Sequence, residues 1–341
     1  MVHQGPAIAI DAMGGDKAPC EVVRGAIIHA REHPEVPLIL AGDEIRVREE
    51  LQAGGWDGSN IEIAHAKTVI AMDDSPVEAL RRKRGSSIEV ATRLVKDGRA
   101  FAVVGAGNTG ACVAASTLFL GVLPNVKKAG IAVAFQTSET KVMVIDVGAN
   151  INAKPEHLIQ YGIMASLYAK EILGVERPRV GLLNIGEEDA KGTTLAKNSH
   201  GLFQKTKLNF IGNIEGVEIF RGKCDVVVCD GFVGNIVLKT AEGMAECLLG
   251  LFHGALSEAV KTEPKGSGMG STLKEAVNRV ERKIDYSEYG GAPLLGVDGV
   301  TIIAHGRSDA KAISNAIRVA WRMGEINLNA QISDELKSLG A

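Results

Sequence analysis

The sequence predicts an α/β fold of the doubly wound kind, a three-layer sandwich with a mainly parallel sheet, as a single domain over 1–341 with a helical hairpin projecting at 243–289. Three observations carry this. Short apolar runs rich in Val and Ile recur along the 341 residues. They are continuous rather than alternating, which marks strands covered by helices on both faces. Stretches with helical periodicity lie between them, the rhythm of strand–helix–strand units.

Taken in order, the strands are expected at Ala7–Ile10, Pro37–Leu40, Phe101–Val104, Ile131–Phe135, Val142–Ile145, Val180–Leu183, Val226–Val228 and Val300–Ile303. Helices are expected at Glu21–His33, Ser86–Lys96 and Pro155–Leu173, the last opening on a proline whose missing N–H costs nothing in a first helical turn. The apolar stretch Cys112–Leu123 is too short to cross a bilayer and reads as a buried helix. From Gly243 to Tyr289 no strand is expected. Met244, Leu248, Leu251, Phe252 and Leu256 form one helical stripe, and Leu273, Ala276, Val277, Val280 and Ile284 a second, joined by a small-residue turn at Gly266–Gly270.

Composition excludes several function classes. A net charge of -3 gives no global field toward nucleic acid or anionic lipid. Aromatics at 4% leave little for a base-stacking surface. Cys20, Cys112, Cys224, Cys229 and Cys247 are odd in number and lack CxxC spacing, so they read as reduced thiols, neither a disulfide framework nor a zinc site. No signal-peptide pattern opens the chain, and a cytoplasmic location is expected.

Ligands of doubly wound folds bind beyond the carboxyl ends of strands. Six such ends carry glycine beside Asn, Asp, Lys or His: Asp11–Asp16, Gly105–Gly110, Asp146–Asn150, Asn184–Gly192, Cys229–Asn235 and Ala304–Gly306. They are expected to line one cleft at one edge of the sheet. Gly105–Gly110 matches G-x-G-x-x-G, but no acidic residue follows about twenty positions on to hold a ribose, which argues against a nicotinamide site. What remains is an anion site at a helix start. The run Arg81-Arg82-Lys83-Arg84 before Ser86-Ser87 suits phosphate or an acidic partner, arginine forks binding phosphate bidentately, or is simply a solvated face. Cys229 is expected to be a buried core residue, and neither a G-x-S-x-G elbow nor a H-E-x-x-H pair is present.

Read together, Ile8–Asp16, Ala106–Ala111, Asp146–Asn150, Lys154–Leu158, Gly181–Glu187, Asp230–Phe232, Gly234-Asn235 and Tyr289–Ala292 resemble the phosphate acyltransferase family, from Ile8 to near Met323 in the right order. The resemblance implies transfer of an acyl group from acyl carrier protein to inorganic phosphate, giving acyl phosphate for glycerophospholipid synthesis. It implies a fold similar to phosphotransacetylases and isocitrate dehydrogenases, a homodimer, peripheral contact with the inner face of the membrane, and a downstream acylglycerol-phosphate acyltransferase. No cofactor, metal or nucleic acid is expected. Asn152 stands where the family pattern leads one to expect an acid.

Phosphate is itself the nucleophile in that reaction, so the expected needs are positioning and oxyanion stabilisation. Lys191 and Asn235 are the candidate catalytic residues. Candidate substrate-binding residues are Asp11, Gly14, Gly15, Arg81, Lys83, Ser86, Gly107, Asn108, Thr109, Gly110, Asp146, Asn150, Asn184, Gly186, Asp230, Gly234 and His305. Local capping and turn bonding are the competing explanation for each Asn and Asp.

Overall fold

The computed structural model describes residues 7–137, 140–262, 270, 273–277, 279 and 290–338. The strands are β1 (Ala7–Asp11), β2 (Leu38–Gly42), β3 (Ile61–His65), β4 (Ala100–Gly105), β5 (Gly130–Gln136), β6 (Lys141–Ile145), β7 (Arg179–Leu183), β8 (Asn209–Ile214), β9 (Val226–Val228), β10 (Ala292–Leu295) and β11 (Val300–Ile303). The helices are α1 (Cys20–Glu32), α2 (Glu44–Ala53), α3 (Pro76–Arg82), α4 (Ser87–Lys96), α5 (Thr109–Ala115), α6 (Pro155–Glu171), α7 (Thr194–Phe203), α8 (Gly231–Thr262), α9 (Ala310–Glu325) and α10 (Leu328–Ser338).

One 11-stranded sheet runs β3-β2-β1-β4-β11-β10-β5-β6-β9-β7-β8. Both faces are buried, as the continuous apolar runs predict. Ile8, Ile10, Leu38 and Leu40 face α1 and α9, which pack on each other, whereas Ala9, Ile39 and Val103 face α4 and α5. Each fully buried Ile or Leu side chain contributes about 1.5–3 kcal/mol relative to exposure.

The three strands missing from the sequence expectation each lack a continuous apolar run. β3 and β8 pair on one side only, at the sheet's two edges, and carry Glu62 and His65, or Asn209, Gly212 and Asn213. β10 holds Pro293 and pairs antiparallel on both sides. The stretch after Cys112 is split: α5 stops at Ala115, and a π-helical turn at Ser116–Leu120 closes on Gly121, whose φ of 85° admits no other residue easily. α8 begins well before the hairpin expected at 243–289. The turn at 266–269, Val280 and Ile284 lie outside the described residues, as does most of the second helix of that hairpin.

One correction governs the site. β10 runs antiparallel to β11 and to β5, and β5 runs antiparallel to β6. Hence β6, β9, β7 and β8, mutually parallel, point opposite to β1, β2, β4 and β11. The six glycine-bearing turns therefore do not share one edge. Those after β1, β4 and β11 lie at one end of the sheet and those after β6, β9 and β7 at the other. Apolar runs reveal that a strand is buried but carry no sign of its direction, and a two-strand antiparallel insertion is enough to reverse half of the sheet.

Candidate active site

The turn after β6 is built around Asp146, fully buried. Its carboxylate accepts from the backbone N–H of Ile131, Gly148, Ala149 and Asn150 at 2.8–3.1 Å. Asn150 donates its amide to the Ala129 carbonyl at 2.5 Å and to the Tyr161 hydroxyl at 2.9 Å. Asp146 and Asn150 thus shape the turn, and their polar atoms are engaged in doing so. Onto it α8 docks backbone to backbone. The Gly231 N–H donates to the Asn150 carbonyl at 2.9 Å, and a Cβ on Gly234 would lie 1.9 Å from the Asp146 carbonyl oxygen. Asp230 caps the helix, accepting from Phe232 and Val233 N–H at 2.9 and 3.0 Å. This docking sets Asn235 against Gly148, its Oδ1 about 3.5 Å from where a Gly148 Cβ would stand. The Asn235 side chain is exposed and makes no hydrogen bond to any described residue.

The loop after β7 carries Lys191. Asn184 accepts from Ile185 N–H at 2.9 Å and donates to the Lys191 carbonyl at 3.1 Å, closing the loop on itself. Gly192, at φ 87°, leaves room for that amide. Gly186 is buried beneath the loop. His200 and Asn213 brace it from below and were not foreseen from the sequence. The Asn213 amide donates to the Glu188 carbonyl at 3.0 Å, so its Oδ1 accepts from His200 Nδ1 at 3.1 Å. His200 Nε2 then accepts from the Gln204 amide at 3.0 Å. Lys191 itself is exposed, its Nζ 4.0 Å from Glu188. Nothing in the local sequence marks His200 or Asn213, because the brace exists only once α7 and β8 meet.

At the opposite end, Gly14 and Gly107 press their turns together, a Cβ on Gly14 standing 2.7 Å from Gly107 N. Gly15 at φ 108° packs beside the Gly306 and Ala106 carbonyls. Asp11 is buried beneath and accepts from Met13 N–H at 3.1 Å; burial pushes its carboxyl pKa up. Asn108 caps α5 and donates to the Ala71, Met72 and Asp74 carbonyls at 2.9–3.3 Å. The loop so held places Pro76 against Gly110. The chain itself thus covers the start of the G-x-G-x-x-G helix, and Asn108 is a brace for that loop. Thr109 is exposed beside it. His305 accepts from Arg307 N–H at 3.1 Å. Ser86 is the residue preceding α4, buried, its hydroxyl bonded to none of the described residues. Of the basic run, Arg82 pairs with Glu78 and Lys83 with Asp74, while Arg81 and Arg84 are exposed on the same end.

The family model described as a fatty acid synthesis protein matches residues 7–331. A protein named phosphate acyltransferase from Desulforamulus reducens is 46% identical over 334 residues, covering 97% of each chain. One of the same name from Heliobacterium modesticaldum is 49% identical over 335 residues, covering 96% of this chain and 97% of that one. The chain belongs to the phosphate acyltransferase family. Among solved structures it is similar in fold to a phosphotransacetylase from Streptococcus pyogenes, with a TM-score of 0.63 at 17% identity over 94% of this chain and 95% of that one. The EutD phosphotransacetylase from Staphylococcus aureus gives 0.58 at 15%, over the same shares.

Membership gives the geometry its chemical frame. Cys229, at the end of β9, is 3% exposed, lies 3.6 Å from the Asp146 carbonyl oxygen, and burial holds its thiol well above its ordinary pKa. It is a core residue, as expected, and a poor thiolate. Among the polar strand-end groups around Asp146, most side chains are consumed in bracing. Lys191, whose ammonium has only Glu188 at 4.0 Å, and Asn235, whose amide bonds to no described residue, are left exposed.

Proposed function

We propose that the chain transfers a long-chain acyl group from acyl carrier protein to inorganic phosphate, at a centre that uses Lys191 and Asn235. The observation that carries this reading is the sorting just described: the turns hold these two side chains open while their polar neighbours are spent. A phosphate oxygen adds to the thioester carbonyl carbon. The oxyanion accepts from the Asn235 amide, and Lys191 neutralises charge on phosphate or oxyanion. The C–S bond then breaks, and the departing thiolate takes up the proton that phosphate releases. The product is an acyl phosphate, for a downstream acylglycerol-phosphate acyltransferase to consume.

The chain works as a homodimer through the apolar face of α8, and the helical surface that carries Leu273 and Val277 touches the membrane. No helix among the described residues is long and apolar enough to cross a bilayer.

The test is an end-point assay with palmitoyl-carrier protein and labelled phosphate. Labelled palmitoyl phosphate released in step with carrier thiol supports the reading. Turnover confined to acetyl or butyryl coenzyme A would replace it with a short-chain phosphotransacylase, the second reading that the phosphotransacetylase-like fold keeps in view.

A further inference from the structure

Resting on that reading, the thioester sets a condition on the surface around Asn235. It is joined covalently to its carrier, so the carrier must come to rest beside the centre. Carriers of this type are acidic. The longest cationic run of the sequence, Arg81–Arg84, lies at the other end of the sheet, where Arg82 and Lys83 are already paired with Glu78 and Asp74. The surface next to Asn235 offers a second set of cations. The Gly231 N–H meets the Asn150 carbonyl at the foot of α8, and the Asn150 amide holds the Ala129 carbonyl. These two contacts bring the segment before β5 and the start of α6 to the centre, and Lys127, Lys128 and Lys154 are exposed there. The Lys127 backbone N–H donates to Gln160 Oε1 at 2.8 Å and the Gln160 amide to the Asn125 carbonyl at 2.8 Å, which fastens the lysine segment to α6. His157, buried in the first turn of α6, feels all three ammonium groups: burial lowers its pKa, Glu156 opposes the shift, and Lys128, Lys154 and Lys127 add to it. None of the three lysines forms an ion pair with a described residue. Against them, segments 125–129 and 150–157 hold one carboxylate, Glu156. The start of α6 adds the positive end of its helix dipole. Ile151, 64% exposed, lies between Asn150 and Lys154.

We propose that Lys127, Lys128 and Lys154 form the docking surface for the acidic face of the acyl carrier protein, with Ile151 as its apolar contact. The strand order β5-β6-β9-β7 puts these lysines on one side of the centre. The loop after β7, with Glu187, Glu188 and Asp189 around Lys191, lies on the other. An acidic partner is therefore drawn to the β5 side, which fixes the orientation in which its thioester meets Asn235. An exposed apolar side chain within a polar, charged rim is the arrangement of a transient protein interface. Anionic lipid headgroups would meet the same charges, but only the carrier has to lie here for the chemistry to occur.

The test compares two donors of one acyl group in the double variant Lys127→Glu, Lys128→Glu and in Lys154→Glu. One donor is dodecanoyl-carrier protein. The other is S-dodecanoyl pantetheine, which has the thioester without a carrier surface. All three positions are exposed, and melting curves check that the variants fold. The expected result is a fall of about tenfold in kcat/KM with the carrier donor, mainly through KM, and no change with the pantetheine donor. The wild type should lose its preference for the carrier donor as ionic strength rises, while the variants should not. Lys127→Gln with Lys128→Gln should give a smaller loss than the glutamate pair. Wild-type kcat/KM with the carrier donor in the glutamate variants overturns the proposal. So does an equal loss with both donors, or a raised KM for phosphate, since the lysines would then serve the reaction itself. Lost flotation with phosphatidylglycerol vesicles beside unchanged carrier kinetics overturns it as well and gives the patch to the membrane. Failure of the underlying reading is distinct: the wild type then makes no dodecanoyl phosphate from the carrier donor.

Discussion

Lys191 stands on a loop pinned by Asn184 and by Asn213, which His200 holds in place. Its own ammonium is exposed, with Glu188 4.0 Å away. Replacing Lys191 or Asn235 by Ala is expected to lower turnover about 10²–10³-fold with an unchanged melting curve, the loss typical of an oxyanion donor; normal turnover in a folded variant removes that residue from the mechanism. Asn213→Ala removes the amide that holds the Glu188 carbonyl and should reduce kcat several-fold with KM for phosphate little changed. A matching loss in the His200→Gln, Asn213→Ala double variant, no larger than in either single variant, would show that the two residues act through one link. His29 gives a stability signature of a different kind. It is buried, its Nε2 lacks a partner among the described residues, and burial lowers its pKa from 6.5 to about 4. The unfolded chain therefore takes up this proton before the folded one does, and stability falls as pH drops from 6.5 toward 4. The contribution is about 3 kcal/mol. Urea midpoints measured across that window should flatten in His29→Leu.

At the scale of elements, the start of α8 is the joint on which the candidate centre depends. Gly231 and Gly234, almost one helical turn apart, let the helix touch the Asp146–Asn150 turn directly. Gly234→Ala forces a methyl group to within 1.9 Å of a backbone oxygen, so the helix must shift. The expected cost exceeds the 1–3 kcal/mol typical of overpacking, about 3 kcal/mol or more, and turnover falls because Asn235 moves with the backbone. Circular dichroism melts beside the acyl phosphate assay check both. The glycines at this joint were visible in the sequence as turn residues. Their partner across the contact was not, because β6 and α8 are far apart along the chain.

At the scale of the whole molecule, the apolar face of α8 needs a cover. Leu251→Glu sets a charge in the stripe and is expected to convert a dimer into monomer in sedimentation velocity, with acyl phosphate formation falling in parallel. Leu273→Glu with Val277→Glu, in the hairpin, separates the two uses of apolar surface. Flotation with liposomes should weaken while the dimer persists, whereas unchanged flotation would exclude lipid contact by that face.

The sequence by itself determined that strands alternate with helices, that the sheet is buried on both faces, and that glycine with Asn, Asp or Lys follows the strands near which ligands bind. These properties are local: hydrophobic period and turn chemistry are written in contiguous residues. It also held enough of the family's motifs in order to identify the family. Only the tertiary structure decided which candidates share a place. Strand direction depends on pairing across the sheet, and the antiparallel β10–β5 insertion sends the turns after β6, β7 and β9 to the opposite end from those after β1, β4 and β11. Only the structure, too, separated the side chains that brace a turn, such as Asp146, Asn150, Asn184 and Asn108, from the two left open. Whether an amide is engaged depends on partners up to 37 residues away in the chain, as in Asn108 reaching Ala71, and no local pattern encodes that.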